Sequence, residues 1–237
     1  MPKSVRKCLL VKALLATAML GSAATSQAAL IVDISPNAGT SFRVGGPNSQ
    51  VETMSWTQTN TYTGVNISAL VGSVDGSSET VSAYLTDAVG PGAGSPLATA
   101  NVTVPNFATA GDITLAALFS GLTLNPGSYY LTLFNPDTTD NVNVRWAGGS
   151  STTFGTGVSA NGEIFANTTN GVPNTTNPWK STFVTSTLYD NGFTVTGTAV
   201  PEPGTLSLAL ASLVALGIAS RSRHSGPGIA SRNELIG

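Results

Sequence analysis

The sequence offers few side chains for nucleophilic or acid–base catalysis. The 237-residue chain has one histidine, His224, and one cysteine, Cys8, and both lie in the terminal segments. A Ser-His-Asp or Cys-His arrangement needs a base that titrates near neutrality, and catalytic zinc is usually held by His. The central part of the chain lacks these residues. We therefore predict a protein that has no cofactor and is not an enzyme.

Paired carboxylates are the catalytic arrangement that the composition leaves open, because glycoside hydrolysis needs only Asp and Glu. None of the available carboxylates lies in a recognisable motif. The candidates are Glu52, Asp75, Glu79, Asp87, Asp112 and Glu163. A carboxylate in a loop of a β protein is usually a solvated turn residue. A glycoside hydrolase-type enzyme is therefore the least favoured function.

Oxygen ligands for a hard cation such as calcium cluster in the segment 135–141, where Asp137 and Asp140 precede Asn141. The spacing differs from that of an EF-hand loop. An Asx-rich turn explains the same residues. We predict no metal site and keep Asp137 and Asp140 as weak candidates.

The three tryptophans raise the possibility of a platform that stacks on sugar rings, since a large aromatic side chain combines apolar area with a polar tip. Trp146 follows Val142 and Val144 in strand phase, which favours a core position. Trp179 lies in a polar loop and is expected to be exposed. Trp179 and Trp56 are therefore the candidate carbohydrate contacts.

The central part of the chain has the pattern of a β protein. Short alternating runs rich in Thr and Val are separated by turn residues, and no long stretch has helical periodicity. The runs place two sets of residues on single strand faces: Val65, Ile67, Ala69 and Val71, and then Val81, Ala83 and Leu85. Around ten such strands predict an all-β fold, an antiparallel, jelly-roll-like β-sandwich.

Turn residues divide these strands. A strand is expected from Tyr129 to Phe134, and the segment 112–119 fits either a helical turn or a strand. The segments 89–96, 147–157 and 167–178 are predicted to be exposed loops.

The charge distribution argues against nucleic-acid binding. Residues 29–199 contain ten carboxylates and only three cations, Arg43, Arg145 and Lys180. A nucleic-acid-binding surface is normally basic. An acidic, solvated surface on an exported protein explains the excess of carboxylates.

The N-terminal segment has the features of a secretory signal peptide. Basic residues precede an apolar run that ends near Leu20, and small residues follow it. Cleavage by signal peptidase between Ala28 and Ala29 is expected. An N-terminal membrane anchor or a core helix are the alternatives.

A second apolar segment, 206–220, follows a Pro-rich linker, 198–205, and precedes a basic tail, 221–237. About 16 residues of helix span roughly 24 Å, which is short of the roughly 30 Å hydrocarbon core. With Arg221 and Arg223 on the cytoplasmic side, the segment would be a marginal, temporary anchor. The alternatives are a core helix, a permanent anchor and a lipid-anchor signal.

This C-terminal region resembles the PEP-CTERM sorting signal of Gram-negative envelope proteins. The matching parts, in order, are the motif Val200-Pro201-Glu202-Pro203, the short apolar segment and the arginines Arg221 and Arg223. The resemblance implies recognition by an exosortase in the inner membrane, cleavage near the motif, and delivery to the cell surface or extracellular matrix. The chain departs from the family because its arginines are not contiguous and because residues 224–237 follow them. More loosely, Val89–Gly94 and Leu124–Leu131 resemble the β-sandwich domains that accompany such signals.

Together these observations predict a signal peptide (1–28), an extracellular β-sandwich (29–197), the linker, a short hydrophobic helix and the tail. The expected function is that of a non-enzymatic surface or matrix protein with a structural or adhesive role linked to exopolysaccharide. It would contact the inner membrane only transiently. A carbohydrate-binding module is the alternative.

Overall fold

The computed structural model describes residues 28–74, 76–137, 144–186, 190–201 and 212. The chain divides into two compact units, residues 1–199 and 200–237. All of the strands described lie in the first unit.

The described residues form eleven β-strands. In chain order they are β1 (Ala29–Arg43), β2 (Val51–Gln58), β3 (Tyr62–Ser73), β4 (Glu79–Thr86), β5 (Ala98–Val104), β6 (Leu115–Leu124), β7 (Gly127–Phe134), β8 (Val144–Phe154), β9 (Val158–Ala166), β10 (Val184–Thr185) and β11 (Phe193–Ala199). Two short 3₁₀ turns, Ala110–Asp112 and Pro178–Lys180, interrupt the connections.

The strands form two antiparallel sheets. The five-stranded sheet has the order β11-β1-β8-β3-β6, with a further pairing of β11 to β3. The six-stranded sheet has the order β10-β9-β2-β7-β4-β5. Buried apolar side chains from both sheets form one large core cluster. The predicted all-β sandwich is therefore confirmed.

Alternation along the strands explains which side chains enter this core. In β3, the four residues predicted to share a face, Val65, Ile67, Ala69 and Val71, are all fully buried. In β4, Val81, Ala83 and Leu85 are likewise fully buried. Because side chains alternate across a strand, the intervening residues of β4, including Ser82 and Tyr84, lie on the outer face of the six-stranded sheet.

The predicted loop at 147–157 is wrong over most of its length, because β8 continues to Phe154 and pairs with β1. Its glycines do not mark a turn. At Gly149 a Cβ atom would overlap the Cγ2 methyl group of Ile34 in β1. The position favours Gly because another chain segment approaches closely, as is known for Gly inside strands.

The structure also defines the boundaries of three other strands. The ambiguous segment 112–119 enters β6 at Leu115, after the 3₁₀ turn that ends at Asp112. The strand expected from Tyr129 begins at Gly127 and ends at Phe134 as predicted. The last strand, β11, extends to Ala199, two residues beyond the predicted end of the sandwich at 197.

Most of the predicted terminal segments lie outside the described residues. Residues 1–27 of the predicted signal peptide and all but Ser212 of the predicted hydrophobic helix, 206–220, fall there, as does the tail, 221–237. Within the part of the chain that is described, no helix is long and apolar enough to cross a membrane.

Candidate functional site

Trp56, one of the two predicted carbohydrate contacts, lies in the core between the sheets. Its side chain is 0% exposed, and its ring centroid is 5.6 Å from that of Tyr129 and 5.8 Å from that of Phe193. Its indole N–H donates a hydrogen bond to Oε1 of Gln58, at 3.1 Å. Neither ring face is open to a sugar. The prediction that Trp56 contacts carbohydrate is therefore wrong, because strand β2 turns this side chain inward.

Trp179, the other candidate, lies in the 3₁₀ turn Pro178–Lys180 and is only 8% exposed. Its indole N–H donates to the carbonyl of Gly94, at 2.8 Å. Its own carbonyl accepts from the N–H of Gly90, also at 2.8 Å. The expectation of an exposed tryptophan is wrong, because Trp179 ties its loop to the Gly-rich loop 89–96.

Tyr84 is the more accessible aromatic residue in this region. It packs against Trp179, with ring centroids 4.8 Å apart. Strand alternation places it on the outer face of the six-stranded sheet, and its side chain is partly exposed. Sequence reasoning did not single out Tyr84. The signal was available, because Tyr84 falls between the inward-facing Ala83 and Leu85.

Tyr84 lines an open depression of about 270 Å³ together with Thr99, Ala100 and Asn101 of β5. We call these four residues the Tyr84 cleft. Tyr84 and Thr99 are direct cross-strand partners, and the Ser82 hydroxyl donates to Oδ1 of Asn101 at 2.9 Å. The cleft combines a supported aromatic ring with hydroxyl and amide groups, which are the groups that bind sugars.

Two of the six candidate carboxylates, Glu52 and Glu163, lie close together. Glu163 is paired with Met54 across β2 and β9, and Glu52 is two residues from Met54 on the same strand. Residues directly opposite in an antiparallel pair share a face, so both carboxyl groups lie on the face that carries Met54. Glu52 is 0% exposed and Glu163 is 1% exposed.

Amide side chains complete this group, which we call the carboxylate cluster: Gln50, Glu52, Glu163 and Asn191. Nε2 of Gln50 donates to Oε1 of Glu52, and Nδ2 of Asn191 donates to Oε1 of Glu163 at 3.1 Å. Burial and the adjacent Glu163 raise the pKa of Glu52 well above its usual range, although hydrogen bonds from Gln50 and Asn191 act in the opposite direction.

The remaining candidate carboxylates do not join this cluster. Glu79 accepts a hydrogen bond from Ser77, and Asp112 accepts one from Thr109. Asp87 directly follows β4, and Asp75 is outside the described residues.

Of the two weak metal candidates, Asp137 and Asp140, the structure describes only Asp137. The N–H of Asp137 donates to Oδ1 of Asn135 at 2.8 Å, which is the hydrogen bond of an Asx turn. Asp140 lies outside the described residues. Among the residues that are described, no group of three or more His, Cys, Asp or Glu side chains could hold a metal ion.

The predicted processing sites flank the strands of the sandwich in sequence, and the strands beside them are neighbours, because Ala29 of β1 pairs with Gly197 of β11. Ala28 is exposed, and Ala29 is the first residue of β1. Val200 follows β11 directly and is 41% exposed. Pro201 is also exposed, whereas Glu202, Pro203, Arg221 and Arg223 lie outside the described residues.

Comparison with known proteins identifies the C-terminal segment. Residues 199–223 match the PEP-CTERM protein-sorting motif. The motif is that of an exported protein that an exosortase processes at the membrane, so the recognition made from Val200–Pro203 and the arginines is confirmed.

No curated protein matches the chain. Among solved structures, the chain is similar to an active-site mutant of a family two carbohydrate esterase from Clostridium thermocellum. The sequence identity is 15%, the alignment covers 56% of this chain and 33% of the esterase chain, and the TM-score is 0.28. The similarity thus extends over about a third of the esterase's length.

Proposed function

We propose that the protein is a non-enzymatic component of the cell surface or extracellular matrix, with a structural or adhesive role linked to exopolysaccharide. One observation carries the proposal: the sorting motif at 199–223 begins at the last residue of β11, so the whole sandwich precedes the processing signal. Cleavage near Pro201–Pro203 would leave every strand of the sandwich intact. The sandwich is then the part that acts after sorting.

The first experiment is mass spectrometry of both termini of the protein recovered from the host envelope and the culture medium. We expect a mature chain that starts at Ala29 and ends near Pro203. A matched strain without its exosortase should retain the segment beyond Pro203. Recovery of an intact C-terminus at Gly237 from the wild-type membrane would contradict the proposal, because the segment would then be a permanent anchor.

Carbohydrate binding is the second candidate function, and the Tyr84 cleft favours it. The ring of Tyr84 packs against Trp179, whose indole N–H donates to the Gly94 carbonyl at 2.8 Å. A pre-positioned aromatic ring loses little freedom when a sugar stacks on it. The exposed Thr99 and Asn101 side chains supply hydrogen-bonding groups beside it.

Binding of purified host exopolysaccharide to the exported protein tests this function. We expect Tyr84→Ala to weaken binding about tenfold, since loss of one stacked aromatic ring removes roughly 1.4 kcal/mol. Phe154→Ala is the matched control, because Phe154 is 37% exposed but belongs to the five-stranded sheet. Equal binding by both variants and the unmodified protein would exclude the Tyr84 cleft as the contact.

We do not assign catalysis to the carboxylate cluster. A glycosidase places its two carboxyl groups on either side of a bound glycosidic bond. Glu52 and Glu163 are 0% and 1% exposed, so a sugar chain cannot reach them without opening the sandwich. Loss of hydrolytic activity on replacement of Glu163 would overturn this proposal.

A further inference from the structure

We propose that the carboxylate cluster binds a calcium ion between the two sheets. The ligands would be oxygen atoms of Glu52, Glu163 and Asn191. Its ligands are different residues from those of the sorting segment, of the Tyr84 cleft and of the Asx turn at Asn135–Asp137. The proposal therefore does not depend on the proposed function.

Three oxygen atoms without hydrogen-bond partners carry the argument. They are Oε2 of Glu52, Oε2 of Glu163 and Oδ1 of Asn191, and each is buried. Buried polar atoms are nearly always satisfied, because an unpaired buried acceptor costs about 1–3 kcal/mol, and more when it is charged. One coordinated cation would satisfy all three of these acceptors on neighbouring side chains.

The position of Asn191 is fixed by the backbone. Asn191 forms an isolated antiparallel bridge with Gly148 of the five-stranded sheet, and its N–H donates to Sδ of Met54, at 3.3 Å, in the six-stranded sheet. Its side-chain amide contacts Glu163 and also acts on Glu52. The residue is fully buried. A neutral amide oxygen is thus held beside two carboxylates at the boundary between the sheets.

The charges around the pair also favour a cation. The groups that act on the Glu52 carboxyl are Glu163, Gln50 and Asn191, which are one acid and two neutral amides. Two carboxylates buried side by side repel each other and lose their hydration. A divalent cation coordinated by both would offset the repulsion and occupy the unpaired oxygen atoms.

The ligand chemistry selects calcium among the common divalent ions. Calcium accepts carboxylate and amide oxygens in irregular arrangements, whereas magnesium requires near-octahedral geometry and keeps several waters. Zinc prefers nitrogen and sulfur ligands in structural sites. Extracellular modules bind calcium with dissociation constants of about 0.1–1 mM, and we expect an affinity in that range.

Calcium titration of the full exported protein, unfolded in EDTA and refolded, tests the proposal. Isothermal titration calorimetry should show one bound calcium per chain. The Tm should rise by about 5 °C or more at 10 mM calcium, because the ion binds only the folded state. The same concentration of magnesium should produce a much smaller shift.

Three variants make the result specific. Glu163→Gln keeps the size of the side chain but removes its charge, and should weaken calcium binding at least about tenfold. Asn191→Asp retains an oxygen ligand and should still bind calcium, which protects the test against a variant that fails to fold. Glu79→Gln removes a carboxylate at the start of β4, where Glu79 accepts a hydrogen bond from Ser77, and should leave binding unchanged.

A proton shared by Glu52 and Glu163 is the competing explanation of their proximity. In that case calcium would not change the Tm of the unmodified protein, and Glu163→Gln would stabilise the protein equally with and without calcium. That result would overturn the proposal. Loss of calcium binding in Glu79→Gln but not in Glu163→Gln would also overturn it.

Discussion

Trp56 and Trp179 are both buried and both have a hydrogen-bonded indole N–H, but they lie in different layers of the molecule. Each indole N–H makes a hydrogen bond, at 3.1 Å to Gln58 and at 2.8 Å to the Gly94 carbonyl. Trp56 lies between the sheets, whereas Trp179 covers part of the outer face of one sheet. The comparison shows that a buried tryptophan can belong either to the folding core or to the support of an exposed surface.

The hydrogen-bond acceptors of the two indole N–H groups differ in the same way as the positions of the two tryptophans. Gln58, which accepts from Trp56, uses its own amide to donate to the carbonyls of Leu124 and Asn125, each at 3.2 Å. That network joins β2 to the connection between the two sheets. The acceptor of Trp179 is a backbone carbonyl in a surface loop. Loss of Trp56 should therefore affect the whole sandwich, and loss of Trp179 should affect the loops and the Tyr84 cleft.

The largest effect is expected for Trp56→Ala. The substitution leaves a large cavity beside Tyr129 and Phe193, and it should lower the free energy of unfolding by about 3–5 kcal/mol. Urea denaturation followed by circular dichroism measures the change. A loss below about 1 kcal/mol would contradict a central role in the core.

A smaller effect on the interior is expected for Gly149→Ala. The added methyl group would overlap Cγ2 of Ile34, a fully buried residue of β1. Overpacking of this kind usually costs about 1–3 kcal/mol. The same denaturation measurement tests it, and unchanged stability would show that β1 and β8 can separate slightly without loss.

Trp179→Ala should cost less global stability than Trp56→Ala, about 2 kcal/mol or below, because Trp179 packs against Tyr84 on the outer face of a sheet and not between the two sheets. Its characteristic effect should be local. Amide hydrogen exchange should increase at Gly90, whose N–H is bonded to the Trp179 carbonyl, and stay unchanged at Ile67 in the core. Equal increases at both positions would remove the distinction between the two tryptophans.

Alternation predicted the inner faces of β3 and β4 correctly, because apolar residues recur there with period two and most of the intervening residues are polar. It could not place Trp56, since its neighbours Val51, Thr53 and Ser55 are also buried and β2 has no solvated face along much of its length. The prediction of a loop within β8 was wrong because Gly149 is needed where β1 approaches closely, and β1 is distant from β8 in the sequence.

The carboxylate cluster could not be predicted for a related reason. Glu52 and Glu163 are 111 positions apart in the sequence, and only the register of β2 against β9 brings them together. Considered one at a time, Glu52 and Glu163 are charged residues whose side chains would be expected to lie in solvent. The sorting motif could be predicted from the sequence because its recognition depends on contiguous residues and needs no tertiary contact.

Gly92→Ala is the matched counterpart of Gly149→Ala in the loop that Trp179 contacts, and its effect should be the smallest. A Cβ atom at Gly92 would meet no other atom within 4 Å, and the backbone there does not require a positive φ. The substitution restricts the unfolded chain without strain in the folded one, so stability should rise by about 0.4–1 kcal/mol. Urea denaturation of the two alanine variants side by side tests this. If Gly92→Ala lowered the free energy of unfolding as much as Gly149→Ala, the loop would be packed as tightly as the interior. The difference between Trp56 and Trp179 could then not be explained by one lying in the core and the other on the outer face of a sheet.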